Sequence, residues 1–413
     1  MSSASTRAAT RWVTRIIPVV LAGCVGFATY VVIKRICLDY FLHTRSRPST
    51  AIALLVPYSV LLVLMSATYL RLLLVVALDP GVVPLGPDAA VAPGGRRKRR
   101  GRKSASRHDD IEAHPYEPGP DTNPDSPGLE RFYSKEVFVC DYDGRPRYCS
   151  ACRTWKPDRV HHSSEINRCV RKMDHFCPWV GGIVSETSFK FFVQFTFYTT
   201  LYCAVCMVAA ILCLTDQLLE SRLDGTVIAI IAMGAFFGLF TFGMTATSLR
   251  YIFKNLTTVD ILRQKSAVYQ LAVRVPQDTP PTPDYGTIVY PLPKPGDRGG
   301  TGRDGPSSSR DRLATRTFAI VRTDVGENPW DLGLSGNWVS VMGTNPLDWL
   351  LPVRPSPCVH DENDQSFYRM GPLCDTLRSR YRLPSVPQDG KGGVEMGQLP
   401  GRYSPGSGEG LDR

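Results

Sequence analysis

The chain has 413 residues, a net charge of +10 and 43% hydrophobic residues, with a mean hydropathy of −0.10. Its 12 Cys fall far short of the ~8–10% that marks a disulfide mini-protein, and its apolar content excludes a chain disordered throughout. The near-zero hydropathy averages two unlike parts, because the apolar residues collect in four long runs and the Gly and Pro collect elsewhere.

In chain order, a basic segment (1–15) with Arg7, Arg11 and Arg15 leads into the first run, Ile16 to Ile33, closed by Lys34-Arg35. The second run is Ala51 to Leu70. Residues 80–128 are rich in Pro, Gly and charge and hold a basic block at 96–103, whereas 130–190 are dense in Cys, His and aromatics. The third run is Phe191 to Leu214 and the fourth Val227 to Leu249. In the tail (250–413), residues 275–312 are poor in apolar side chains and are expected to be flexible. Residues 327–352 regain Trp and aliphatics, so a packed element is expected near 327–345, and the last thirty or so residues are expected to be disordered.

None of the four runs contains Asp, Glu, Lys, Arg or His, and each is 18 to 24 residues long. About 20 apolar residues cross a ~30 Å hydrocarbon layer as a helix, and a helix satisfies its own backbone there. The expected fold is therefore an all-α multispan membrane protein with four transmembrane helices (16–33, 51–70, 191–214 and 227–249). Basic residues near the helix ends set the orientation. The amino-terminal arginines, the 96–103 block and Arg250, Lys254, Arg263 and Lys265 put both termini and the long middle loop in the cytosol. The short 215–226 loop, with Asp216, Glu220 and Asp224 against Arg222, fits the opposite side. Lys34, Arg35, Arg45 and Arg47 contradict this, since their loop must face the lumen. The sequon Asn255-Leu256-Thr257 then lies on the cytosolic side and is expected to carry no glycan. The basic block next to a membrane reads as a contact for anionic lipid or as what keeps the loop on the cytosolic side; without aromatic interleaving, no nucleic-acid partner is expected.

Five Cys fall in the cysteine-rich loop: Cys140, Cys149, Cys152, Cys169 and Cys177. In a reducing cytosol such clusters bind metal or do chemistry. The turn Cys149-Ser-Ala-Cys152 aims two thiolates at one point, and one of the adjacent His161-His162 pair with Cys169 closes a tetrahedral set. Four protein ligands leave no open position, which makes the ion structural zinc. Outside that set, Asp174-His175-Phe176-Cys177 offers a thiol, a histidine to accept its proton and a carboxylate to orient the ring. Cys203, Cys206 and Cys213 read as packing residues of the third helix.

The stretch from about Tyr148 to Phe192 resembles the DHHC cysteine-rich domain of protein S-acyltransferases (palmitoyltransferases). The resemblance rests on Cys149-x2-Cys152, Lys156-Pro157-Asp158-Arg159, His161-His162, Asn167-Arg168-Cys169, Met173-Asp174-His175, Cys177-Pro178-Trp179-Val180 and Phe189-Lys190-Phe191-Phe192. Asp79-Pro80-Gly81 after the second run, Thr257-Thr258 after the fourth, and Asn328-Pro329-Trp330-Asp331-Leu332-Gly333 agree with it. The DHFC wording is most similar to a fifth group of fungal protein fatty acyltransferases. The resemblance implies catalytic Asp174, His175 and Cys177 and a zinc on Cys149, Cys152, His162 and Cys169. The family's second zinc site would fall on Ser163, Ile166, Phe176 and Ile183, none of which binds zinc, so one zinc is expected with an apolar cluster in place of the other. Asp260 stands where the family has Glu.

The expected activity is transfer of a long-chain acyl group from palmitoyl-CoA to cysteines of membrane-associated proteins through a Cys177 acyl-enzyme. Lys156 and Arg159 are candidate contacts for the CoA phosphates. The chain needs an apolar cavity among the helices, opening near Cys177, since each buried methylene gains ~0.8 kcal/mol. The competing expectation is a non-catalytic, zinc-stabilised membrane adaptor of the same fold. A RING-type ligase lacks its second metal site here, and a transporter lacks ionisable residues in the runs.

Overall fold

A computed structural model describes residues 3–86, 128–221, 223–263, 268–290 and 315–386. The basic block at 96–103, Lys265, most of the 275–312 stretch and the last residues of the tail lie outside the described residues.

Four helices are long and apolar enough to cross a membrane. They are α1 (Ser3–Thr29), which continues as a π-helical segment Tyr30–Thr44, α2 (Pro48–Leu78), α4 (Phe189–Leu219) and α5 (Gly225–Lys254). Each outruns its apolar stretch, because polar residues extend the helix past the hydrocarbon limits. The first helix runs straight through Lys34-Arg35, and those basic residues find acids at the same end of the bundle. Arg35 pairs with Asp224 at 2.5 Å, Arg45 with Glu220 at 2.6 Å and Arg47 with Asp216 at 3.2 Å. The discordant charges are thus neutralised by the α4–α5 turn. Solvated pairs of this kind add little stability; they set charge balance and register.

The fold departs from the all-α one expected from sequence. A four-stranded antiparallel sheet sits beside the bundle, in the order β1 (Val137–Cys140), β8 (Gln270–Val275), β10 (Arg316–Arg322), β9 (Gly286–Tyr290). Strand β9 falls within the stretch expected to be flexible, so that expectation fails for 286–290. Strand β1 precedes the cysteine-rich region and its partners come from the tail, with Val137 opposite Val273 and Ala319 opposite Val273 on the other side. Phe132, Phe138, Tyr290, Phe318, Trp330, Phe367 and Leu377 form its core. Asp158 ties the sheet to the cysteine-rich region by accepting from Val139 N at 2.8 Å; burial pushes its carboxyl up to about 7.

The cysteine-rich region is three two-stranded ribbons: β2–β3 (Tyr148–Cys149, Thr154–Trp155), β4–β5 (Val160–Ser163, Arg168–Arg171) and β6–β7 (His175–Cys177, Gly182–Val184). The last ribbon abuts α2 so closely that a Cβ on Gly182 would lie 2.6 Å from Val76. The expected packed element near 327–345 is α7 (Gly333–Met342), held on α5 by Asn337 Nδ2 donating to Phe253 O at 2.9 Å and by Trp338 stacked on Phe253.

Candidate active site and metal centre

Residues two apart on a strand share a face, and β6 uses this directly. His175 and Cys177 project to one side and Phe176 to the other. Phe176 faces its cross-strand neighbour Ile183, while Cys177 lies opposite Gly182. The position that departs from the family's DHHC wording is therefore turned away from His175 and Cys177. Phe176 and Ile183 are two of the four positions of the missing second metal site, and here they pair as apolar side chains. A third, Ser163, is buried and donates to Glu165 at 2.8 Å.

Asp174, 4% exposed, accepts from His175 Nδ1 at 2.6 Å. Its two oxygens also accept from Thr258 N (2.8 Å) and Thr258 Oγ1 (3.0 Å). Three donors on one carboxylate fix its position, and through it the ring. Burial on its own would lower the His175 pKa. The hydrogen bond and charge of Asp174, with Cys177 acting in the same sense, outweigh it and raise the value to about 9. Cys177 is 5% exposed and packs with Leu72, Val76 and Phe192. The arrangement favours the protonated ring of His175 beside the Cys177 sulfur.

The sign of the resulting pH dependence follows. A folded-state pKa above the ordinary ~6.5 of histidine means the contact stabilises fully below that value and is lost as pH rises through about 9. The melting temperature of Asp174→Asn is expected to lie furthest below the parent's at pH 6. The gap closes to the constant cost of the altered Thr258 contacts above pH 9.

Thr258 belongs to Thr257-Thr258-Val259-Asp260, which starts α6 (Thr258–Arg263) as a capping box. Asp260 N donates to Thr257 Oγ1 (3.2 Å) and Thr257 N to Asp260 Oδ2 (3.0 Å). The shorter acid keeps its contact: Asp260 Oδ2 also accepts from Arg159 at 2.8 Å. Arg159 requires a correction. Rather than facing solvent for CoA, it is 6% exposed and bonded to Asn255 Oδ1 (2.9 Å), Asn255 O (3.0 Å) and Asp260. Its guanidinium lies 4.9 Å over the Trp330 ring. Both terminal nitrogens are spent on joining the cysteine-rich region to the end of α5 and the tail. Arg159→Met strands the Asp260 carboxylate and is expected to cost about 3–5 kcal/mol in a denaturation experiment. Asn255, the sequon residue, is 6% exposed and also donates to Trp330 O at 2.7 Å, so its amide is blocked whichever side it faces.

Cys149, Cys152, His162 and Cys169 converge, with all donor atoms within 4.8 Å of one another. His162 Nδ1 is 3.5, 3.4 and 3.9 Å from the three sulfurs in chain order. Metal–ligand bonds of about 2.0–2.3 Å in a tetrahedron separate donors by roughly 3.3–3.8 Å, so the set fits zinc. The alternation of β4 resolves the histidine pair: His162 is cross-strand to Cys169 and faces the cluster, and His161 faces the other way. Val83 N donates to Cys169 O and Gly86 N to Cys152 O, which ties the cluster to the segment leaving α2. His161 lines a separate polar cavity of about 270 Å³ with Arg147 and Lys156.

Sequence reasoning missed an apolar cavity of about 600 Å³ in its particulars, although it asked for one. The lining includes Pro18, Met65, Tyr69, Phe195, Cys203 and Phe237. Tyr69, part of that lining, donates to Trp179 O at 2.9 Å, and Trp179 follows Cys177 by two residues in the chain. The far end of the cavity is closed by hydroxyls: Tyr58 donates to Thr29 Oγ1 (2.8 Å) and lies 2.9 Å from Tyr202 Oη.

Residues 143–265 match the family model of the DHHC palmitoyltransferase. The chain is 41% identical over 404 residues to palmitoyltransferase pfa5 of Aspergillus fumigatus, covering 90% of each. It is 38% identical to palmitoyltransferase pfa5 of Emericella nidulans, covering 90% of this chain and 86% of that one. Palmitoyltransferase PFA3 of Saccharomyces cerevisiae is 30% identical over 239 residues, 55% of this chain and 57% of that one. The chain belongs to the DHHC palmitoyltransferase family.

Proposed function

We propose that the chain is a protein S-acyltransferase that moves a palmitoyl group from palmitoyl-CoA to cysteines of membrane-associated proteins, with Cys177 as the covalent carrier. The observation that supports this is a held Asp174–His175 pair beside Cys177, linked through the Tyr69–Trp179 hydrogen bond to an apolar cavity that Tyr69 lines. His175 takes the Cys177 proton. The thiolate attacks the thioester carbonyl, and CoA leaves as a thiolate that collects the proton from His175. The acceptor cysteine then gives its proton to His175 and attacks the acyl-Cys177, which departs as thiolate. One thioester is exchanged for another, so the overall reaction is near balance. The cavity keeps the acyl chain from water while its head reacts.

The zinc held by Cys149, Cys152, His162 and Cys169 supplies folding stability and no reacting atom. One ion per chain is proposed, because Phe176 and Ile183 fill the second site with apolar contact. Lys156, with Arg147 and His161, is the proposed seat of the CoA phosphates, in a cavity that Asp158, Arg159 and Asp260 also line; Arg159 is held there by Asn255 and Asp260. The catalytic domain and both termini are proposed to face the cytosol. Arg35, Arg45 and Arg47, although paired with acids, remain an exception to the charge rule that the basic residues of the other three segments outweigh.

A chain-length series of acyl-CoA donors tests the reading. Palmitoyl transfer to a membrane-bound acceptor is expected for the parent. Tyr202→Ala, which opens the closed end of the cavity, is expected to shift the preference to longer chains by about 1–3 kcal/mol in relative kcat/KM, or 10–200-fold. An unchanged series would place the acyl chain elsewhere.

A further inference from the structure

The tail segment after α7 forms a single short turn of helix, α8 (Pro346–Leu350), beside α4. Its carbonyls are met by side chains of that spanning helix. Gln194 Nε2 donates to Asp348 O (3.1 Å), Trp349 O (3.0 Å) and Leu351 O (3.3 Å), and Tyr198 Oη donates to Leu350 O (2.7 Å). Trp349 Nε1 donates to Gly343 O at 2.8 Å. Side-chain donors on four successive carbonyls, Asp348 to Leu351, suit a segment out of reach of water. Its side chains are the opposite of what a watery surface favours: Leu347 is 61%, Leu350 53%, Leu351 40% and Val353 64% exposed. Arg354 follows with a solvated side chain, and Trp349 packs edge-on against Trp338.

Depth can be placed on α4. That helix has 31 residues, about 46 Å at 1.5 Å per residue, against a ~30 Å hydrocarbon layer. If centred, it overhangs by roughly 8 Å at each end. Gln194 and Tyr198 lie five and nine residues past Phe189, about 7 and 13 Å along the axis. The turn therefore straddles the boundary of the hydrocarbon, and its exposed leucines are continuous with the lipid-facing side of α4, where Phe197 and Leu201 are 41% and 38% exposed. Aliphatics flanked by Trp and Arg are the composition of a membrane interface.

We propose that Pro346–Val353 is a strap embedded in the leaflet on the catalytic side, with the lipid acyl chains as its partner. The strap joins the packed tail element to α4 at lipid depth and so fixes the height of the catalytic ribbon over the bilayer. The proposal does not depend on the transfer reaction. The test uses the full chain in phosphatidylcholine nanodiscs doped with a phospholipid carrying a diazirine in its acyl chain. After photolysis, label on Leu347, Leu350, Leu351 and Val353 is expected within a few-fold of that on Phe197 and Leu201, with none on the exposed sheet residues Tyr142 and Val289. Label on α4 but not on 346–353 would overturn the proposal, as would capture of those residues by a second protein chain.

Discussion

Replacing Cys177 with serine is expected to remove the hydroxylamine-labile acyl adduct formed with labelled palmitoyl-CoA and to lower transfer by at least on the order of a thousandfold. The thiol leaves one heavy atom in place as a hydroxyl, and Cys177 is buried among Leu72, Val76 and Phe192, so the fold should persist. An alcohol is far less ionised than a thiol, and any ester it formed would resist neutral hydroxylamine. His175→Ala should also fall steeply, because no other base is aligned by Asp174. A parent-level adduct on Cys177→Ser would exclude the acyl-enzyme. Absence of any adduct in the parent would favour the adaptor reading, in which the Asp174–His175 contact is only structural.

The second large effect concerns the metal. Metal analysis of the purified chain is expected to return one zinc. Two zincs would refute the account of Phe176 and Ile183 as an apolar replacement. Stripping the ion, or substituting Cys169→Ser, should unfold the ribbons, since structural zinc contributes ~10–16 kcal/mol in small domains at neutral pH. Three thiols gathered around His162 Nδ1 repel one another when ionised, a repulsion that a bound metal cation would offset. The damage should spread, because Cys169 O and Cys152 O anchor the strand that leaves α2. Loss of zinc should therefore abolish acylation of Cys177 although neither His175 nor Cys177 touches the ion.

The chemistry was the legible part of this chain. Ligand and nucleophile types are rare, and strand alternation turns their spacing into faces: the structure separates His161 from His162 by the same rule that separates Phe176 from Cys177. The four spans were legible because hydrocarbon imposes a composition. The sheet was not, since β1 meets its partners more than a hundred residues away, and four-to-seven-residue strands carry no local mark of a distant mate. Arg159 was misassigned for a related reason. Its neighbours Asn255 and Asp260 arrive from the other side of two membrane helices, and a basic residue in a loop is indistinguishable in sequence from one in a core. Arg45 and Arg47 pair with Glu220 and Asp216, contacts with acids about 170 residues away that the sequence alone does not display.

The pairing of β1 with β8 and of β8 with β10 also fixes an order of events during synthesis. The cysteine-rich ribbons emerge from the ribosome well before residues 316–322, which complete the sheet, and two membrane helices must be inserted in between. At ordinary elongation rates the interval is on the order of ten seconds. Until residues 270–275 follow, Val137–Cys140 presents an unmatched edge, and before zinc binds, the thiols that would hold it stand open to oxidation or to stray acylation. A chaperone or early zinc capture has a defined window in which to act, and a ribosome stalled between residues 190 and 316 would leave behind a membrane-anchored chain with its chemistry half built.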